Sequence, residues 1–288
     1  MRFPETLVLG ATGRIGQVLQ QVWPQRGHGK KLLWQSRHPQ QDQSLNWDIF
    51  DPLATSEALE RAAIGRTGIL CLAGVVPGRG GDLADNWRLA EAAIRAAAKA
   101  GARVLLASSA AVYGNQAGVL SEATVLCPIS EYGRAKVDME QRAAALAAQL
   151  GINCCSLRIG NIAGLDAILG GWKPGFRLDQ FADGRTPARS YIGILDLARV
   201  LADLVTVPTL PVALNVARPR PLEMGDLLTA AKLQWTAQRA PEEAIPQVIL
   251  NTDQLQALLP HPLTGVDSGD LVAQLALLEP HISTQQET

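Results

Sequence analysis

The stretch Thr6-Leu7-Val8-Leu9-Gly10-Ala11-Thr12-Gly13-Arg14-Ile15-Gly16 decides the fold. Thr6–Leu9 reads as a short buried strand, and a helical pattern starts at Arg14 and runs to about Val22. Between them, three glycines at three-residue spacing let the strand turn sharply, bring backbone N–H groups up to a phosphate and let the helix pack closely on the sheet. A pyrophosphate then rests at the positive end of that helix, near Gly10, Thr12, Gly13, Arg14, Ile15 and Gly16. A glycine turn can also be a plain strand–helix connection. Its place at the first junction of an alternating chain favours the phosphate cradle.

Outward from that turn, apolar runs alternate with helical patterns. Strands are predicted at Lys31–Gln35, Leu45–Ile49, Gly68–Ala73, Val104–Ser108 and Asn153–Ile159. Helices are predicted near Thr55–Ala63, over Asp85–Ala100 with Gly101 as its stop, and over Glu131–Leu150 ending at Gly151. This rhythm predicts an α/β Rossmann fold, a doubly wound parallel sheet with helices on both faces. Past Gly160 the rhythm breaks. Residues 164–187 are rich in Gly, Pro and charge and predict no sheet element, Asp196–Leu204 is helical, and Ala213–Ala217 is a short strand. From Pro219 to about Leu278 the pattern is helical with Pro breaks, and Ile282–Thr288 is a polar, frayed end. The expected organisation is a dinucleotide-binding domain over 1–163, with 189–217 returning to it. A small C-terminal substrate lobe is expected from 164–188 and 218–288.

The chain has 288 residues, 47% of them hydrophobic, and a net charge of −1. That permits a large core and offers no basic field for nucleic acid, so a small-molecule partner is expected, with no nucleic-acid or membrane partner. Cys71, Cys127, Cys154 and Cys155 lack paired metal-ligand spacing, and the four histidines are scattered, so no metal site is expected. Cys71, Cys154 and Cys155 sit in apolar runs and read as small buried hydrophobes. With no long apolar segment near Met1, a cytoplasmic location is the expectation.

The end of the second strand discriminates between dinucleotides. NAD enzymes usually place Asp or Glu there to bond the ribose. This chain reads Trp34-Gln35-Ser36-Arg37, without a carboxylate. Arg37 can pair with a 2′-phosphate while Ser36 donates to it, against the alternative of an ordinary solvated arginine. NADP is therefore the expected cofactor, with NAD as the alternative.

Tyr132-Gly133-Arg134-Ala135-Lys136 opens the long helix. Residues four apart share a helical face, so phenol and ammonium project together. The ammonium is expected to lower the phenol pKa and make Tyr132 a usable acid–base group. Val104-Leu105-Leu106-Ala107-Ser108-Ser109 brings hydroxyls to the carboxyl end of a central strand, where open parallel sheets bind ligands.

With these motifs in this order, the chain resembles the extended short-chain dehydrogenase/reductases, the NAD(P)-dependent epimerase/dehydratase family. Asp48-Ile49 resembles the family's adenine-contacting pair, Leu72-Ala73-Gly74 the segment beside the cofactor, and Asn86 a position on the following helix. Ser108-Ser109-Ala110-Ala111-Val112-Tyr113-Gly114 is similar to the serine strand. Arg158 to Gly164 resembles its Arg-x-x-Asn-x-x-Gly segment, and Arg189 to Ala198 the segment headed by a substrate-phosphate arginine. The resemblance implies hydride transfer on a sugar nucleotide or similar hydroxy or keto compound. In it, Tyr132 is acid/base, Lys136 bonds the nicotinamide ribose, Ser109 holds the reacting oxygen, and Asn161 and Arg189 bind a phosphate-bearing substrate. It also implies a homodimer through helices 85–100 and 131–150.

Departures from the family narrow the chemistry. Ala110 and Ala111 replace the Asp-Glu pair of sugar-nucleotide dehydratases, and Ala110 also removes the cysteine of the epimerase/reductases. Reduction, oxidation or inversion remain expected, and dehydration is not. Gly193 stands where the epimerases carry a histidine. An NAD-retaining UDP-sugar 4-epimerase and a non-catalytic NADP(H)-sensing regulator are the alternatives.

Overall fold

The computed structural model describes residues 3–78, 80–265 and 267–277. The polar end predicted at Ile282–Thr288 lies outside them. In chain order the elements are β1 (Thr6–Leu9), α1 (Arg14–Gln25), β2 (Leu32–Ser36), β3 (Trp47–Ile49), α2 (Ser56–Ala63), β4 (Gly68–Cys71), α3 (Asp85–Ala100) and β5 (Arg103–Ser109). A 3-10 turn, Ala110–Tyr113, leads to β6 (Gly118–Leu120), α4 (Glu131–Leu150), β7 (Cys154–Ile159), β8 (Asn161–Ile162), β9 (Arg177–Gln180) and β10 (Ala188–Ile192). Then come α5 (Ile194–Leu204), β11 (Ala213–Val216), β12 (Pro221–Glu223), α6 (Met224–Ala230), β13 (Thr236–Arg239), β14 (Gln247–Leu250), α7 (Asp253–Leu258) and α8 (Ser268–Ala276).

Seven strands form one sheet in the order β11-β7-β5-β4-β1-β2-β3, the doubly wound arrangement predicted from the alternation. The pairs β1–β2, β1–β4, β2–β3 and β4–β5 are parallel. Strands covered on both faces are continuously apolar, and β1 and β4 are buried at every residue. One face carries Leu7, Leu9, Ile69, Val104 and Leu106 against the alanines of α3 and α4. On the other, Trp23 of α1 packs on Trp34 of β2 and donates its indole N–H to the Ala198 carbonyl at 2.8 Å. The helices stop where their sequences say. Gly101 and Gly151 close α3 and α4 in the left-handed conformation, at φ 67° each.

Contacts divide the chain into two compact units. The first comprises residues up to Gly114, Leu126–Arg158 and Ala198–Leu214; the second comprises Asn115–Val125, Ile159–Leu197 and the chain from Asn215 onward. Two expectations are corrected in the second unit. Residues 164–187 contain β9, which pairs in parallel with β13. The span after Pro219 is not all helical, since β12 lies antiparallel to β10 and β14 lies parallel to it. These strands are three or four residues long and paired over long sequence distances, and β9 and β13 are polar, so neither local periodicity nor turn chemistry announces them. Among the described residues no helix is long and apolar enough to cross a membrane.

Candidate active site

Gly10 leaves β1 at φ 75°, and a Cβ there would stand 2.5 Å from the Ala73 nitrogen. Only glycine lets the two backbones approach this closely. Gly13 begins α1 with no side chain capping the helix, and the first turn of a helix directs its backbone N–H groups outward along the axis. Gly16 packs the helix onto the turn, where a Cβ would lie 2.1 Å from the Ala11 carbonyl oxygen. Gln35 locks this geometry. Its Oε1 accepts the Gly10 N–H at 3.1 Å while its Nε2 donates to the Phe50 carbonyl at 2.7 Å.

A cavity of about 350 Å³ opens on the turn. Of the expected cofactor residues, Gly10, Thr12, Gly13, Arg37, Leu72, Ala73 and Gly74 line it, joined by Gln35, Asp51, Pro52 and Leu53. Arg14 and Ile15 stand just behind, in the first turn of α1, with Gly16 buried there. Asp48 and Ile49 lie on β3 and do not line the cavity; the loop that follows them does. Ser36 is corrected. Its hydroxyl donates to the His38 carbonyl at 2.7 Å and accepts from Gln40 Nε2 at 2.8 Å, so its proton is spent inside its own turn. Arg37 is exposed at the cavity's edge. A bare helix N-terminus, a glycine cradle that a Cβ would fill and a cation at the rim suit the donor requirements of a dinucleotide.

The second cluster assembles where β5 meets α4. Ser109 ends β5 in extended backbone, and its Oγ accepts the Ala111 N–H at 3.2 Å, capping the 3-10 turn. Ser130 caps α4 by accepting the Gly133 N–H at 3.0 Å. Gly133 brings the first turn of α4 onto the 3-10 turn, where a Cβ would lie 2.6 Å from the Ala111 carbonyl oxygen. That close approach brings the Tyr132 phenol beside the Ser109 side chain. Lys136, one turn on, is buried, donates its Nζ to the Ala107 carbonyl at 2.8 Å and lies 5.7 Å from the Tyr132 ring centroid. The clusters meet at Gly74, a cavity residue whose added Cβ would stand 3.3 Å from Lys136 Nζ and 2.7 Å from Asn86 Oδ1. Asn86 in turn holds both the N–H and the carbonyl of Val75.

The electrostatics correct a further expectation. Tyr132 is not lowered. Burial pushes its pKa above the ordinary phenol value, while the neighbouring Ser109 side chain and the charge of Arg14 pull it part of the way back. The same burial drives the Lys136 pKa down to about 8, against the favourable pull of Cys71 and Glu140. Desolvation outweighs the attraction on which the expectation rested.

Asn161 and Arg189 belong to the second unit. There Asn161 pairs in register with the buried Tyr191, whose hydroxyl donates to Asp166 at 3.0 Å. Arg189 Nη1 donates to the Ala188 carbonyl at 2.8 Å. Gly193 has a packing reason as well, since a Cβ there would meet Gln274 Oε1 at 2.1 Å. Sequence reasoning passed over Gln35 and Glu140. Glu140 had a signal, standing four residues beyond Lys136 on the same helical face.

The sequence profile of the NAD dependent epimerase/dehydratase family matches residues 6–170. The chain belongs to that family. Solved structures share the fold of this epimerase/dehydratase-family chain across nearly its whole length. They include MoeE5 in complex with UDP-glucuronic acid and NAD, at 22% identity and a TM-score of 0.73, covering 96% of this chain and 100% of that one. The UDP-N-acetylglucosamine 4-epimerase from Bacillus cereus follows at 16% and 0.75, covering 96% and 99%. TunA, an NAD-dependent NDP-hexosamine 5,6-dehydratase, stands at 18% and 0.76, covering 96% and 98%. No curated protein matches the chain.

Proposed function

We propose that this family member is an NAD(P)-dependent oxidoreductase or epimerase acting on a sugar nucleotide or a similar hydroxy or keto compound, with Tyr132 as acid/base. The observation that carries the reading is the Ser109 side chain and the Tyr132 phenol brought together beside a buried Lys136, at the strand end next to a glycine-cradled cavity. A nicotinamide bound in that cavity supplies or takes up hydride at carbon 4. The chain supplies the rest. Gly10, Thr12, Gly13 and the first N–H groups of α1 hold the pyrophosphate, Leu72–Gly74 flank the cofactor, and Lys136 bonds its ribose. Ser109 holds the substrate oxygen, and Tyr132 gives it a proton or takes one from it as its carbon is reduced or oxidised. Arg14 and Lys136 stabilise the phenolate that results when Tyr132 gives up its proton.

Ala110 and Ala111 bear only methyl groups in the 3-10 turn after Ser109, which favours reduction, oxidation or inversion over dehydration. The exposed Arg37 and the absence of a carboxylate at Gln35-Ser36 favour NADP. The complexes of similar structures with NAD and UDP sugars favour a second reading, an NAD-retaining UDP-sugar 4-epimerase. In either reading Asn161 and Arg189 bind the substrate, Arg189 at its phosphate where it carries one, and the enzyme is a homodimer through α3 and α4. The intact Ser109, Tyr132 and Lys136 set argues against a non-catalytic sensor.

The test is Tyr132→Phe, with turnover measured on the substrate identified by mass spectrometry of what co-purifies. The variant is expected to keep dinucleotide binding and to lose turnover by about 10²–10⁴-fold, the range for a general acid–base group. Unchanged turnover removes Tyr132 from the mechanism.

A further inference from the structure

Three consecutive residues of β5 meet three residues of α4 spaced one turn apart. The Ala107 carbonyl accepts from Lys136 Nζ, the Ser108 hydroxyl donates to the Glu140 carboxylate, and the Ser109 side chain lies beside the Tyr132 phenol. Tyr132 and Lys136 carry the proposed chemistry. Glu140, the third member, touches neither the cavity nor the phenol. It is only 5% exposed and faces Arg158, which is 6% exposed. Arg158 donates from Nε at 3.0 Å and from Nη2 at 2.8 Å to Glu140 Oε2, and from Nη1 at 2.9 Å to the hydroxyl of Tyr113, the last residue of the turn that Ser109 caps. A buried ion pair is a poor source of net stability, because desolvation offsets its attraction. Here it ties β7, α4 and the catalytic turn into one arrangement.

We propose that Glu140 is a positioning residue for Tyr132 and Lys136: anchored by Arg158, its carboxylate grips Ser108, fixes the register of α4 on β5 and sets a negative charge one turn from Lys136. The proposal rests on the acid/base reading of Tyr132. The groups facing Lys136 are Glu140 and the Tyr132 ring from its own helix, Cys71 from β4, the Asn86 carboxamide from α3 and the Ala107 carbonyl from β5. Burial pushes the Cys71 thiol up to about 11, so at neutral pH that thiol carries its proton and no charge.

The experiment is a pH titration of the protein labelled with 13Cε-lysine, followed by NMR, with the Lys136 signal assigned by its loss in Lys136→Met. Wild type is expected to show the Lys136 signal titrating near 8, well below the ordinary lysine value. Glu140→Gln is expected to lower that midpoint by about half a pH unit or more, as loss of an opposite charge should, and Glu140→Asp to restore part of it. Ser108→Ala, which only unclamps the carboxylate, moves the midpoint the same way by less, and decides the matter if the Gln variant does not fold. A role confined to stability lowers the melting temperature and leaves the Lys136 midpoint at its wild-type value in the folded variants; that result overturns the proposal. The readout needs neither dinucleotide nor substrate. Failure of the acid/base reading, seen as full turnover in Tyr132→Phe, leaves this titration where it was.

Discussion

Lys136 carries an ammonium where water scarcely reaches, with the Ala107 carbonyl as its hydrogen-bond acceptor. Its pKa, about 8 in the fold, is depressed from 10.5, so the folded state binds the proton more weakly than the unfolded chain. The charge therefore costs stability below pH 8, and the cost fades as pH rises from 8 to 10.5, where the unfolded chain still holds the proton and the folded one has shed it. Lys136→Met is expected to stabilise the protein by about 1–3 kcal/mol at pH 7, the scale of such a burial penalty. The gain, read from melting temperatures across pH, should shrink over that window. A variant less stable than wild type at pH 7 contradicts this. Arg37 is the residue that discriminates cofactors in this account. Arg37→Ala is expected to weaken NADPH about tenfold or more and NADH little, as loss of a charge-assisted hydrogen bond predicts; equal effects on the two dinucleotides refute it. Residue identity was readable here, but environment was not. Tyr-x-x-x-Lys announces a shared face, while the burial that reverses the expected tyrosine shift belongs to the closed fold and not to the spacing. Ser36 misleads for a related reason, because its proton goes to the His38 carbonyl two residues away.

At the scale of elements, the glycine turn and the two capped helices explain the geometry of both clusters. Gly16 holds α1 against the turn so closely that a Cβ would lie 2.1 Å from the backbone oxygen of Ala11. Backbone cannot give way as a flexible side chain can. Gly16→Ala is thus expected to cost about 1–3 kcal/mol, typical of overpacking, and to weaken dinucleotide binding as the helix N-terminus moves. A melting temperature and an affinity equal to wild type would count against the cradle. The strands β1, β2, β4, β5 and β7 were legible because each is an apolar run between helical patterns. Arg177-Leu178-Asp179-Gln180 was not. It is polar, four residues long, and its partner begins at Thr236, so only the closed fold pairs it.

On the scale of the whole molecule, each unit is stitched from three stretches of chain, and the match to the family profile over 6–170 runs through parts of both. The first unit was predictable because its alternating pattern is continuous. The second was legible only in fragments, since Asn115–Val125 joins it from the middle of the first and its sheets pair segments far apart in sequence. The central claim, that the first unit holds a nicotinamide dinucleotide, is open to one direct measurement. Purified protein titrated into NADPH and into NADH, followed by nicotinamide fluorescence, is predicted to bind both saturably and NADPH more tightly. Tighter NADH binding contradicts the reading of Arg37, and no saturable binding of either contradicts the account as a whole.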